Sequence, residues 1–150
     1  MELRQAAVGD VPEIHAIITR FAEQGLMLPR ARARLYETVR DFVVATDNGS
    51  IVGVGALRTL WEDMGEVCSL AVVESHRRQK IGTRIVEELL RQARTLGLSG
   101  VLALTYVPEF FAKLGFVPVD KHVLPHKVWS ECVNCPKFPD CTEQAMLLKL

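Results

Sequence analysis

The sequence predicts an α/β (α+β) fold in which helices flank a mixed, mostly antiparallel sheet with a central parallel strand pair. Two apolar runs joined by Asp47-Asn48-Gly49 predict an antiparallel hairpin. Two further apolar runs with a helical pattern between them predict a strand-helix-strand unit, whose strands lie parallel. Because the chain has 150 residues, 49% of them hydrophobic, we expect one domain over residues 1–150 with one sizeable core.

The first predicted helix has both a start signal and an end signal. Asp10-Val11-Pro12-Glu13 combines an N-cap residue, a first-turn proline and an acid three residues on, which indicates a helix start. Residues 14–21 then carry a one-sided apolar stripe at helical spacing. Gly25 is expected to end this helix.

The hairpin arms cover residues 42–45 and 51–57. Within the second arm, Gly53 and Gly55 are small positions at which we expect another backbone or a ligand to come close.

The second half of the chain supplies the predicted parallel pair. Residues 66–73 and 101–105 are apolar runs suited to buried strands, and residues 81–96 between them have helical spacing. A short helix over residues 108–114, closed by Gly115, and a last strand over residues 145–150 complete the order.

Composition excludes several classes of partner. Lys plus Arg and Asp plus Glu both number 18, so no net field attracts nucleic acid or an acidic membrane surface. The sequence lacks the long apolar stretch of a signal peptide or a membrane span, so we expect a soluble, cytoplasmic protein. A homodimer remains open.

The segment 72–83 leaves a buried strand and enters a helix. The unpaired N–H groups of a helix's first turn attract anions, so a pyrophosphate would fit there. Arg77, Arg78 and Lys80 add positive charge, and Gly82 lets the backbone approach a ligand. The alternative is a solvated basic turn before an ordinary surface helix.

Three stretches resemble the signature of the GNAT acetyltransferase superfamily: Leu70-Ala71-Val72, Arg77-Arg78-Gln79-Lys80-Ile81-Gly82-Thr83 and Phe110-Phe111-Ala112-Lys113-Leu114-Gly115-Phe116. The resemblance implies an N-acetyltransferase that uses acetyl-CoA. It implies that the second stretch binds the pyrophosphate of CoA through its amides, and that the third lies beside the pantetheine and thiol. The coenzyme-binding residues implied are Leu70, Ala71, Val72, Arg77, Arg78, Gln79, Lys80, Ile81, Gly82, Thr83 and Phe111. Lys80 stands where the family usually has its first glycine, so we expect an ordinary negative φ there and an additional cation.

Phe111 occupies the position where many GNAT enzymes have an acidic tyrosine. Phe-Phe-x-x-x-Gly-Phe, with Thr105 before it and Leu124-Pro125 after it, is similar to the acetyltransferase domain of N-acetylglutamate synthases, as is Gly65-Glu66. This resemblance implies that Glu66 acts as general base through water and that Thr105 helps to protonate the thiolate. A solvated strand-end role for Glu66, a purely strand-forming role for Thr105, and Tyr106 as the acid remain alternatives.

The same resemblance implies an acceptor and the residues that bind it. L-glutamate, acetylated on its α-amino group in arginine biosynthesis, would be held by Arg30, with Lys127 as a second candidate. The amino-acid-kinase-like domain with which longer synthases sense arginine is not expected within these 150 residues. Another amine acceptor, or a non-catalytic module that binds acyl-CoA, remain alternatives.

Three of the four cysteines, Cys132, Cys135 and Cys141, form a cluster near the C-terminus. The cluster is one ligand short of a structural zinc site, which His126 or His122 would complete. A loop of reduced thiols is the alternative.

Overall fold

The computed structural model describes residues 1–120 and 143–150. In this part of the chain the elements are, in order, β1 (Glu2–Gln5), α1 (Val11–Glu23), α2 (Arg32–Glu37), β2 (Phe42–Asp47), β3 (Ser50–Thr59), β4 (Met64–Val72), α3 (Ile81–Leu96), β5 (Gly100–Thr105), α4 (Pro108–Ala112), β6 (Val117–Val119) and β7 (Gln144–Lys149). Short 3-10 turns cover Val8–Asp10, Val39–Asp41 and Glu74–His76.

The strands form one mixed sheet with the order β1-β2-β3-β4-β5-β7-β6. Antiparallel pairing joins β1 to β2, β2 to β3, β5 to β7 and β6 to β7. The sheet contains one parallel pair, which confirms the predicted fold class. None of the described helices has the length and apolar character that crossing a membrane requires.

The chain divides into two compact units. The first comprises Met1–Arg58 and Val67–Gln92, and its core brings the apolar stripe of α1 together with α2 and the strands β2, β3 and β4. Ile14, Ile17 and Ile18 are all buried there, as the spacing predicts. That residues 1–150 form one domain stays a prediction.

The predicted start of α1 is confirmed, and Asp10 occupies the N-cap position as predicted. Its side chain, however, makes no hydrogen bond that caps α1. Its carboxylate instead accepts hydrogen bonds from the Ala7 N–H, at 2.7 Å, and from both terminal nitrogens of Arg4, at 2.7 and 2.9 Å. Glu13, the acid of the expected capping box, accepts the Ile51 N–H at 3.1 Å. Both carboxylates therefore form their hydrogen bonds with groups outside α1.

The predicted hairpin is confirmed. Asp47 pairs with Ser50, and the two residues between them have positive φ, 51° at Asn48 and 82° at Gly49. Two successive left-handed residues form the turn that matches the twist of antiparallel strands, and Asn-Gly tolerates it best.

Gly53 and Gly55 do lie at a close approach, which side chains of α3 make. A Cβ at Gly53 would lie 3.0 Å from Ile81 Cγ2, and one at Gly55 would lie 2.6 Å from Ile85 Cγ2. The carbonyl oxygen of Ala71 would lie 3.5 Å from the same added Cβ at Gly53. Both glycines therefore let α3 pack against β3.

The second unit comprises Thr59–Glu66 and Ala93–Leu150. In it, β5 pairs with β7 from Gly100 opposite Lys149 to Thr105 opposite Gln144. The short helix α4 ends at Ala112, two residues before the predicted end, and Gly115 follows with a φ of 97°. Phe111 is buried and contacts the ring of Phe116 edge to face, with centroids 5.2 Å apart.

Candidate active site

The connection from β4 to α3 has an unusual backbone. Arg77 is extended, with φ −66° and ψ 156°, whereas Arg78 and Lys80 have φ of 69° and 61°. The negative φ expected for Lys80 is therefore wrong. Because the chain must turn from the Glu74–His76 turn into α3 within four residues, Lys80 adopts the left-handed conformation that the family's glycine would adopt without strain.

This backbone presents donors to an anion. Arg84 N–H donates to Lys80 O at 3.1 Å, so the N–H groups of Ile81, Gly82 and Thr83 precede the first such bond of α3. Arg78 and Lys80 have positive φ on either side of Gln79, and a backbone whose φ alternates in sign is the kind in which successive N–H groups can form a concave, anion-binding nest. The side chains of Arg77, Arg78, Gln79 and Lys80 are exposed. The segment thus combines a left-handed backbone, a helix N-terminus and three cations.

A side-chain hydrogen-bond chain lies directly before this segment. His76 Nε2 is 2.8 Å from Asp47 Oδ2, and His76 Nδ1 is 2.8 Å from Ser75 Oγ. The hydrogen bond from His76 lowers the pKa of Asp47 below its ordinary value of 3.8. Sequence reasoning missed this contact because Asp47 and His76 are 29 positions apart.

Strand β4 carries the first block of predicted coenzyme-binding residues. Ala71 is buried, and Leu70 and Val72 are half-buried. Just before them, Ser69 has a φ of 53°, which interrupts the extended conformation of the strand. No sequence signal indicates a left-handed serine inside an apolar strand.

Glu66 and Thr105 are the two buried polar side chains of residues 1–120 and 143–150, each 6% exposed. Both belong to the second compact unit. Glu66 lies near the beginning of β4, and Thr105 is the last residue of β5. Burial of Glu66 excludes the alternative in which it is a solvated strand-end acid.

The hydroxyl group of Thr105 has a defined partner. Its oxygen accepts the Val107 N–H at 2.9 Å. A hydroxyl that accepts in this way still has its own O–H to donate, so Thr105 is suited to giving a hydrogen bond or a proton. Tyr106, the alternative acid, is half-buried beside it in sequence.

Arg30 is half-buried and lies two residues before α2. The neighbouring cations have local partners: Arg32 lies 3.4 Å from the Tyr36 hydroxyl, and Arg34 pairs with Glu37 at 3.3 Å. Arg32 and Arg34 are exposed, so Arg30 is the least exposed of these three arginines.

Six predicted site residues lie outside the described part of the chain: Lys127, Cys132, Cys135, Cys141, His122 and His126. Residues 1–120 and 143–150 contain no cluster of His, Cys, Asp and Glu suited to a metal ion. The zinc hypothesis stays a prediction.

Known proteins resemble this chain in sequence and in structure. An uncharacterized N-acetyltransferase of Chlorobaculum tepidum is 34% identical over 148 residues, 99% of this chain and 96% of that protein. An amino-acid acetyltransferase of Mycobacterium tuberculosis is 37% identical over 132 residues, 86% of this chain and 75% of that protein.

A solved structure has the same fold at a TM-score of 0.90. It is N-acetylglutamate synthase from Neisseria gonorrhoeae with coenzyme A and N-acetyl-glutamate, 29% identical. The similarity covers 99% of this chain and 35% of that one, so the chain spans about a third of the synthase. The sequence model of the acetyltransferase (GNAT) family matches residues 11–116. The chain therefore belongs to the GNAT family of acetyltransferases.

Proposed function

We propose that this protein transfers the acetyl group of acetyl-CoA to the α-amino group of an amino acid, and that L-glutamate is the acceptor. The observation that carries the proposal is the burial of Glu66 and Thr105, the two buried polar side chains of the described residues. Acidic and hydroxyl side chains are mostly exposed in folded proteins, so two that are buried need specific partners and are candidates for a functional role.

The segment Arg77 to Thr83 is proposed to bind the pyrophosphate of CoA. Its left-handed residues and the first amides of α3 form an anion-binding backbone, and the cations add attraction. The family relationship and the CoA-bound synthase support this assignment.

The chemistry requires two proton movements. The acceptor amine is protonated at neutral pH, so a base must take one proton before the nitrogen attacks the thioester carbonyl carbon. As the C–N bond forms and the C–S bond breaks, the nitrogen loses its second proton and the departing thiolate gains one, so a hydroxyl that donates to the sulfur is reprotonated by the proton that the nitrogen releases. We assign the first role to Glu66, acting through water, and the second to Thr105, whose hydroxyl keeps its donor while its oxygen accepts the Val107 N–H.

The acceptor is proposed from charge and from the relatives. Arg30 is half-buried two residues before α2, and a planar guanidinium can bind a carboxylate through two hydrogen bonds. The M. tuberculosis relative is an amino-acid acetyltransferase, and the gonococcal synthase is complexed with N-acetyl-glutamate. Acetylation of glutamate would place the reaction in arginine biosynthesis.

The test compares Glu66→Gln with Thr105→Val. Glutamine keeps the shape and hydrogen bonding of Glu66 but takes no proton, so kcat should fall about 10²–10⁴-fold while acetyl-CoA affinity is unchanged. The loss should shrink as pH rises, because more acceptor arrives deprotonated. Thr105→Val removes a donor to the thiolate and should show no such recovery. Near-wild-type kcat in Glu66→Gln at neutral pH would overturn the assignment.

A further inference from the structure

The connection between β4 and α3 is held at both ends. Downstream, Ile81 opens α3, is 1% exposed, and packs against Gly53. Upstream, His76 is anchored through both ring nitrogens, to Asp47 and to Ser75, each at 2.8 Å. Asp47 is in turn fixed, because it is the last residue of β2 and pairs with Ser50 across the hairpin turn.

The four residues between these anchors need such support. Arg78 and Lys80 both have positive φ, and neither is a glycine. A side chain with a Cβ disfavours this conformation by about tenfold in population relative to an ordinary φ, so an unanchored segment would relax away from it.

We propose that Asp47 and His76 are positioning residues for the coenzyme site, which hold the strained segment Arg77 to Lys80 in its anion-binding conformation. The inference rests on the proposed function, since it takes this segment as the pyrophosphate site. Ser75 orients the imidazole from its other side. A ligand that binds only the strained conformation binds more weakly in proportion to the fraction of molecules that hold it.

The positioning role and simple electrostatics predict opposite changes in CoA affinity when Asp47 is replaced. Asp47 is a carboxylate next to a segment that carries three cations, so its negative charge opposes a bound anion. Asp47→Ala removes that charge and would by Coulomb's law strengthen CoA binding. If the anchor matters, Asp47→Ala weakens binding despite the lost repulsion. Asp47→Asn removes the same charge but keeps an acceptor for His76.

The experiment measures the dissociation constant of CoA by calorimetry on the full chain. We expect Asp47→Ala to raise Kd about three- to tenfold, and Asp47→Asn to stay within about twofold of wild type. The KM for acetyl-CoA should follow Kd, while kcat at saturation is unchanged. Asp10→Ala is the matched control, because Asp10 belongs to the same compact unit and loses a charged partner, Arg4, remote in sequence from the segment. Its Kd should equal that of wild type, even if its thermal stability falls as far.

A second pair of variants isolates strain from charge. Lys80→Gly and Lys80→Ala both remove the ammonium group, but only glycine relieves the positive φ. Asp47→Ala should therefore cost about three- to tenfold in the Lys80→Ala background and distinctly less in the Lys80→Gly background, in which only the strain at Arg78 remains. Equal costs in the two backgrounds would overturn the role of strain.

The outcomes separate the two proposals. CoA binding that survives Gly82→Asp would refute the coenzyme site itself. If Gly82→Asp abolishes binding but Asp47→Ala leaves Kd equal to or below that of wild type, the coenzyme site stands and the positioning role is refuted.

Discussion

The packing of α3 on β3 makes Gly55→Ala a quantitative test of the fold around the coenzyme site. A Cβ at Gly55 would lie 2.6 Å from Ile85 Cγ2, 3.3 Å from Leu70 Cδ1 and 3.4 Å from Leu89 Cδ1. Ile85 Cγ2 is bonded directly to the branched Cβ, so it cannot swing aside without a change of χ1 or a shift of the helix. The substitution therefore displaces α3.

The cost follows from two opposing terms. Overpacking a well-filled core costs about 1–3 kcal/mol, whereas replacing glycine by alanine within a strand returns about 0.5–1 kcal/mol of chain entropy. Because a 2.6 Å approach belongs to the upper half of the overpacking range, about 2–3 kcal/mol, the net loss in the free energy of unfolding is about 1–2.5 kcal/mol. For a chain of this size it lowers Tm by roughly 2–10 °C.

Urea denaturation of three glycine variants provides the assay. Gly53→Ala should lose less than Gly55→Ala, because its Cβ would meet Ile81 Cγ2 and Ile85 Cδ1 at 3.0 Å. Gly9→Ala is the control, because nothing lies within 4 Å of the added Cβ. Stability of Gly55→Ala equal to that of Gly9→Ala would refute the close packing of α3 on this strand.

Three further substitutions test the coenzyme site, the acceptor site and one ion pair. Gly82→Asp should abolish thermal protection by acetyl-CoA, because bulk and negative charge then stand at the first turn of α3; undiminished protection would move the site elsewhere. Arg30→Ala should raise KM for glutamate roughly ten- to a hundredfold and leave KM for acetyl-CoA nearly unchanged; equal effects on both would contradict the assignment. The hydrogen bond from Arg4 lowers the pKa of Asp10 below 3.8, so the ion pair stabilises the fold above that pH and loses its effect as pH falls through the lowered pKa. Asp10→Asn should thus cost about 1 kcal/mol at pH 7 and progressively less as the pH falls below 3.8, as pH-dependent denaturation will determine.

Much of the fold could be predicted because its signals are local. Helix α3 was expected over residues 81–96 and covers Ile81–Leu96, since apolar spacing and the glycine after it act within one segment. The Asn48-Gly49 turn likewise encodes its own left-handed backbone.

The features that could not be predicted depend on distant contacts. Lys80 was assigned a negative φ from residue type alone, whereas its φ is 61°, in a connection that must join the Glu74–His76 turn to α3 within four residues. Ser69 is left-handed inside a strand whose composition is that of any buried strand. Asp47 was predicted only as a turn residue. Its carboxylate also forms a hydrogen bond with His76, which is distant in sequence and comes near only in the folded chain.

The burial of the predicted catalytic pair also needed the structure. Sequence similarity assigned roles to Glu66 and Thr105, but strand-end positions are compatible with either exposed or buried side chains. Their burial is a tertiary property of the second compact unit.

Release of CoA from acetyl-CoA in the presence of each of the twenty amino acids, with glutamate and aspartate compared at equal concentrations, identifies the acceptor. We expect the highest kcat/KM for glutamate, a lower value for aspartate, whose shorter side chain places its carboxylate differently, and a loss of this preference in Arg30→Ala. Release at the buffer rate with all twenty amino acids would show that the protein does not acetylate amino acids.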